Sequence, residues 1–409
     1  MELTRRNFLG TSLIAGTARI GAAPYFGLHP FIEQNPGAVF VQHVNVATRF
    51  DSSAFRNEGL HLARQIFVSM DRPGIPVDHR IVLKPNMIYA GRSGAYEDWG
   101  VNPYFYEGLL LGLKERGLQK FFVAEGNYWY IRPSVPFDDI HERYGVEVAE
   151  PEHRPRDFGA GNRMTWSKVP EAVVYQRIPH LPPVNEPGTW LLNIAKMRPH
   201  GMCLSQAVKN LQGLTVRPFV QYCSGWPGVT GAPDFMKPGI HPQAVEKVTK
   251  YFESHRRMGY SRYDSKARLG PIEQEIWAHK TCDNHSVVKP GLSLIEAIHG
   301  PREDGTGDWH SGRMVLFGKQ PFRVDIVGLW LGGHEPGNIH LYRIAKERGL
   351  TDTFNPWEVP VYEWTESGPV RRKLTDFSRL YLKTYYLQKD GEPRYHLVDE
   401  PFDYDRAKL

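Results

Sequence analysis

Cysteine is scarce in this chain. Among 409 residues only Cys203, Cys223 and Cys282 occur, and no C-x-x-C pair is formed, so the thiolates are too few for an intrinsic iron–sulfur cluster or a four-cysteine zinc centre. One disulfide with a leftover thiol, or three buried thiols, is what such a count permits. Charge of one sign is weak as well: 50 Lys and Arg stand against 45 Asp and Glu, a net +5. With no basic run to concentrate that surplus, a nucleic-acid partner is not expected. Internal repeats and heptads are absent. No apolar stretch approaches the roughly 20 residues of a membrane-spanning helix, and a mean hydropathy of −0.45 excludes a polytopic membrane protein, so no stable membrane insertion is expected.

What is present begins with Thr4-Arg5-Arg6-Asn7-Phe8-Leu9, an arginine pair directly before an apolar stretch that runs to about Ala18. Small residues at Gly21-Ala22-Ala23 offer a cleavage point. The order of these three regions reads as a twin-arginine signal over residues 1–23; the alternative is an amphipathic helix with a chance Arg pair. The expected partner is the twin-arginine (Tat) export machinery and the expected destination periplasmic or extracellular. Removal of Glu2, Arg5, Arg6 and Arg19 would lower the net charge from +5 to +3.

The remainder alternates strand-like and helix-like periods. Apolar runs at 38–41, 81–83, 121–124, 190–195, 292–297 and 314–317 predict strands, while the i, i+3, i+4, i+7 spacing of Tyr106, Leu109, Leu110 and Leu113 predicts a helix closed by Gly117. Further helices are expected over 204–213, 242–258, 271–279, 321–331 and 337–349, with a helical stretch near 374–386. Strand–helix–strand alternation predicts an α/β fold: a mostly parallel sheet flanked by helices, in one integrated domain with irregular loops. The 39 Gly and 32 Pro are then loop-shaping residues. The expected boundaries are 37–350 for the α/β domain and 351–409 for a C-terminal extension.

Chemistry-bearing residues gather at the predicted strand ends, where open α/β sheets bind ligands. Lys84-Pro85-Asn86 and Glu125-Gly126-Asn127 follow two strands joined by a crossover, which places Lys84 and Glu125 on one rim. A lysine there can pair with an anion, form a Schiff base, or act as a base once desolvated; a plain Lys84–Glu125 ion pair is the alternative. Lys196 and His200 follow a third strand, and Ser205, Gln206, Lys209 and Asn210 share a polar helical face, which a merely solvated helix would also show. The segment from Gly300 to Asp308 combines glycines and acids, as a cation loop or an ordinary turn would. Asp325 stands alone in an apolar helical run, a setting that demands a partner. His279, His285, His299 and His334 share no i, i+4 metal spacing, and no metal is assigned.

The segments IVLKPNM (81–87), FFVAEGN (121–127), LLNIAKMRPH with SQAVKNLQG (191–213), SLIEAIHGPREDGTG (293–307) and PFRVDIVGLWLGG (321–333) resemble, in order, the family called domain of unknown function 362. The resemblance implies a site made of Lys84, Asn86, Glu125, Lys196, His200, Lys209, Asn210 and Asp325. It differs from many members in lacking a cysteine-rich ferredoxin-like segment, in carrying Gln320 where an aspartate is usual, and in the longer Lys196-to-His200 spacing. Several cations facing one cleft favour an anionic small molecule or cofactor. The expected function is enzymatic, with His200, Lys196 and Lys84 as catalytic candidates and Asn86, Glu125, Lys209, Asn210 and Asp325 binding the ligand. The alternative is a non-catalytic periplasmic protein for ligand binding or cofactor maturation. The cofactor identity is not fixed by sequence.

Overall fold

Burial along Thr189–Lys196 is nearly continuous, and Leu292–Ala297 is buried throughout. Strands covered on both faces read this way, without the alternation of a half-exposed sheet. The computed structural model describes residues 24–71, 74–87, 99–126, 135–149, 164–200, 203–215, 234–260, 271–302, 309–384 and 401–407. Its centre is a nine-stranded sheet of β1 (Val39–His43), β2 (Arg80–Pro85), β3 (Lys120–Ala124), β4 (Glu147–Ala149), β5 (Thr189–Lys196), β6 (Leu292–Ala297), β7 (Met314–Gly318), β8 (Val361–Thr365) and β9 (Gly368–Arg372). The order across the sheet is β9-β8-β1-β7-β6-β5-β2-β3-β4. All strands run parallel except β7 and β9, which oppose their neighbours. The mostly parallel α/β architecture expected from sequence is therefore the one observed.

Nine α-helices are found among the described residues: α1 (Pro30–Gln34), α2 (Ser52–Ile66), α3 (Pro103–Glu115), α4 (Val135–Tyr144), α5 (Ala207–Asn210), α6 (Ala244–Arg257), α7 (Pro271–Val287), α8 (Pro321–Leu331) and α9 (His340–Glu347). Helices α2 and α3 cover one face, burying Phe55, Leu62, Phe105 and Leu109 against Leu83, Ile194, Leu294 and Phe317. Each has a capped start: Asp51 accepts from Ala54 N at 2.9 Å, and Asn102 accepts from Tyr104 N at 3.0 Å ahead of Pro103. They approach so closely that a Cβ on Gly59 or Gly108 would lie 2.2 Å from a carbonyl oxygen of the other helix. The opposite face packs α5, α7, α8 and α9 over Val41, Ala195, Ile295 and Leu316. None of these helices is long and apolar enough to cross a membrane.

Four expectations change. Helix α7 continues past His279 to Val287, although its last two turns are polar, because those side chains bond to irregular backbone around them. Asp283 accepts from the N–H groups of Val173, Val174 and Tyr175 at 3.2, 2.7 and 2.7 Å, Asn284 donates to Leu211 O at 3.1 Å, and His285 Nε2 lies 2.9 Å from Val208 O. The helix expected over 204–213 is α only at Ala207–Asn210, followed by a 3₁₀ turn at Leu211–Leu214; Cys203–Ser205 is taken up in a hairpin with Arg198–His200. The helical stretch expected near 374–386 is a single 3₁₀ turn, Leu374–Asp376, after which Leu380 N and Leu382 N donate to Leu331 O and Gly332 O at the end of α8. Residues 361–372, expected in the C-terminal extension, supply β8 and β9. Residues 1–23 and Cys223 lie outside the described residues; Cys203 and Cys282 are buried free thiols, and burial pushes the Cys282 thiol up to about 12.

Candidate functional site

From β2 the chain moves to β3 and β4 on one side of the sheet, then returns to β5 on the other side of β2 and continues to β6 and β7. The order reverses between β2 and β5, and in an open α/β sheet the crevice beyond the carboxyl ends of such strands is where ligands sit. Lys84 ends β2 there.

Its amine is 1% exposed and donates to Glu125 Oε2 at 2.7 Å, to the Pro85 carbonyl at 2.8 Å and to Asn210 Oδ1 at 3.1 Å. The three donors of the ammonium thus meet three acceptors, as a buried charge requires. Burial holds Lys84 below the usual lysine value, with the Glu125 charge opposing that shift. The short helix α5 brings in Asn210, whose amide donates to the Lys84 carbonyl at 2.8 Å and to Asn193 Oδ1 at 2.8 Å. Asn193 in turn donates to Ala207 O and to Ser293 Oγ, at 2.9 and 3.1 Å. Gly213 closes the cluster from above: a Cβ there would fall 2.7 Å from Lys84 Cε and 2.9 Å from Glu125 Oε1.

Asp325 on α8 positions this assembly. It accepts from Ala207 N at 2.7 Å, Val208 N at 3.0 Å and the Tyr342 hydroxyl at 3.2 Å, so its partners are the first turn of α5 and a neighbouring helix. Burial pushes its carboxyl up to about 8, although all three contacts favour the ionised form.

Lys196 sits elsewhere. Lys84 is level with Asn193 on β5, so Lys196, three residues on, projects from the opposite face of the sheet. There its amine donates to Glu296 Oε2 at 2.6 Å, both side chains being fully buried. Glu296 also accepts from Asn102 N at 3.2 Å and Ile298 N at 3.0 Å. His310 lies beside this pair and is pushed down to about 3, by burial first and then by the Lys196 and Arg302 charges.

Of the residues expected from sequence, the fold joins Lys84, Glu125 and Asn210 directly. Asn86 is set next to them: its amide lies 3.5 Å from Ser205 Oγ, and its buried Oδ1 has no hydrogen-bond partner among the described residues. His200 is half-buried on the hairpin, paired with Cys203, and Lys209 is half-buried on α5. Asn127, the aromatic run 128–130 and residues 303–308 lie outside the described residues.

Sequence reasoning gave no site role to Asn193, Ser293, Glu296 and His310, although Asn193 lies in the segment that carries Lys196 and His200. A polar residue inside an apolar strand run, the same signal that marked Asp325, was available for the first three. Gln206, expected on a polar helical face, is instead fully buried against Gly328, and neither polar side-chain atom has a hydrogen-bond partner among the described residues. No family model, no curated protein and no solved structure matches the chain.

Proposed function

We propose that the rim between β2 and β5 is the active site of an exported enzyme acting on an anionic small molecule, with Lys84 as its reactive amine. The observation that carries this reading is the contact of one buried lysine with Glu125 and Asn210 at the point where the strand order reverses. An amine desolvated in this way is closer to neutrality than a surface lysine, which suits it to accept a proton or attack a carbonyl, and the adjacent carboxylate can take up its proton. Half-buried His200 and Lys209 supply a general acid and a cation nearer to solvent. Asn86 and Gln206 offer buried polar atoms to an incoming ligand. Membership of the domain-of-unknown-function 362 family and twin-arginine export are proposals of the same kind, resting on motif order and on the Arg5-Arg6 region.

The test is a thermal-shift and calorimetric screen of carboxylates and phosphates against the mature chain, followed by turnover assays on the binders. At least one anion is expected to bind wild type and to lose affinity in Lys84→Gln and Lys209→Ala. Binding that is unchanged in both variants removes the proposal.

A second reading, a non-catalytic ligand-binding or maturation protein, draws on the neutralisation of both Lys84 and Lys196 by buried carboxylates. It requires binding without turnover and an unaltered affinity in His200→Ala; loss of binding in that variant counts against it.

A further inference from the structure

Helices α6, α7 and α9 meet around side chains that the sheet rim does not use. His255 lies in the last turn of α6, while Glu275 and His279 are one turn apart on α7. His255 Nδ1 and His279 Nε2 converge on the same carboxylate oxygen, Glu275 Oε1, at 2.7 and 3.0 Å, and the three atoms lie within 4.8 Å of one another. All three residues are buried. The i, i+4 spacing on α7 points Glu275 and His279 the same way, and α6 supplies the third group from across the helix interface.

We infer that His255, Glu275 and His279 form a binding site for a divalent transition cation of the zinc class, with Glu347 as the outer carboxylate that orients His255. Two imidazoles and one carboxylate are a donor set that zinc and its first-row neighbours accept, whereas magnesium and calcium need oxygen donors. The second nitrogen of His255 carries the further sign: Nε2 lies 2.9 Å from Glu347 Oε2 on α9, the carboxylate–histidine arrangement that fixes tautomer and ring direction at metal sites.

Both rings are also held by aromatic neighbours. Tyr260 stacks on His255 with centroids 4.5 Å apart at 8°, Arg343 caps Tyr260 at 3.5 Å, and Tyr251 lies 4.6 Å from His279. The other ring nitrogen of buried His279, Nδ1, has no hydrogen-bond partner among the described residues, so it is available to carry the proton while Nε2 ligates. Three protein ligands leave a fourth position open. A cavity of about 510 Å³, lined by Glu171, Val173, Lys247, Lys250, Tyr251 and Ser254, adjoins the cluster through Tyr251, the ring that packs on His279.

The alternative use of the same atoms is a charged His–Glu network without a cation, and titration of the full chain separates the two. Protein stripped with a chelator is titrated with Zn²⁺ against a chromophoric competitor, and a parallel sample is loaded with Co²⁺ for its visible spectrum. One equivalent of Zn²⁺ and the absorption of a four- or five-coordinate Co²⁺ site are expected. His255→Ala and His279→Ala lose that equivalent. Glu347→Gln, altering a partly exposed residue, keeps the stoichiometry and binds roughly 10- to 100-fold more weakly. Absence of a stoichiometric equivalent in wild type overturns the inference, as does undiminished binding in the two His variants. If those variants fail to fold, the Glu347→Gln affinity decides: a value equal to wild type overturns it.

Discussion

Lys84–Glu125 and Lys196–Glu296 are both buried lysine–glutamate pairs near strand ends, yet they are built differently. Lys196 and Glu296 stand opposite each other in the register of neighbouring strands, and Glu296 spends its remaining acceptor capacity on two backbone N–H groups. Lys84 reaches Glu125 beyond the end of β3 and Asn210 on α5, partners 41 and 126 residues away. The first pair belongs to the sheet ladder; the second exists only when three separate segments come together. A group that depends on loops and a four-residue helix is the one that a ligand can rearrange.

The largest effect expected comes from breaking either pair on one side only. Lys196→Met and Lys84→Met each leave a buried carboxylate uncompensated and should lower unfolding free energy by about 3–5 kcal/mol in urea titrations. The doubles Lys196→Met/Glu296→Leu and Lys84→Met/Glu125→Leu should recover most of that loss, since no buried charge remains. The comparison then turns on function. The Lys84 double should fold and bind no anion, whereas the Lys196 double should bind as wild type does. Equal loss of binding in both would mean that the two faces serve one site.

Acid sharpens the contrast, because His310 flanks only the Lys196 pair. Its folded-state value of about 3 lies below the ordinary histidine value, so between pH 6.5 and 3 the unfolded chain binds more protons, and stability falls as pH is lowered through that window. The slope from this one group is up to about 1.4 kcal/mol per pH unit. His310→Gln should flatten the acid limb of the stability curve by about that amount. An unchanged limb would show that the ring is not held neutral beside Lys196.

Next in size is Gly213→Ala. The added methyl meets the fully buried Lys84 stem and the Glu125 carboxylate at under 3 Å, so overpacking should cost about 1–3 kcal/mol, and anion affinity should fall with it. A matching Gly→Ala change at Gly300, where a Cβ would lie 2.8 Å from His310 Nε2, 3.2 Å from Met197 O and 3.4 Å from Lys196 Cε, should also cost stability but leave anion affinity intact.

How much of this was legible in the sequence follows from the same distinction. The strands at 81–83, 121–124, 190–195 and 292–297 announce themselves by buried apolar runs, and the crossover rule alone brought Lys84 and Glu125 to one rim. Strand period also contained the separation of Lys84 from Lys196, but only once register was known, and register is a tertiary fact. Helix α7 extends past His279 through the polar residues Lys280, Thr281, Asp283 and Asn284; all four are buried, and Asp283 and Asn284 serve as partners for backbone that has no ladder of its own. The His255 cluster was missed for a related reason: Glu275 and His279 have metal spacing, but a search among histidines alone does not see a carboxylate.

The smallest effect expected at acid pH is at Asp325, where it tests whether α5 is held by a charge or by a neutral cap. Asp325→Asn keeps one acceptor for the two N–H groups of α5 and turns its amide toward donors, a loss of about 0.5–2 kcal/mol of the kind seen for helix caps. Its pH dependence is more telling than its size. With the folded carboxyl at about 8 and the unfolded one near the ordinary aspartate value, the native state holds the extra proton between those limits, so wild-type stability declines as pH rises from about 4 through 8. Asparagine cannot titrate, and the deficit of Asp325→Asn relative to wild type should therefore shrink as pH rises above about 4 and reverse sign before pH 8 in parallel denaturant melts. A deficit that stays flat above pH 5 would mean that Ala207 N, Val208 N and the Tyr342 hydroxyl hold Asp325 ionised, and that α5 presents Asn210 to Lys84 from a charged anchor.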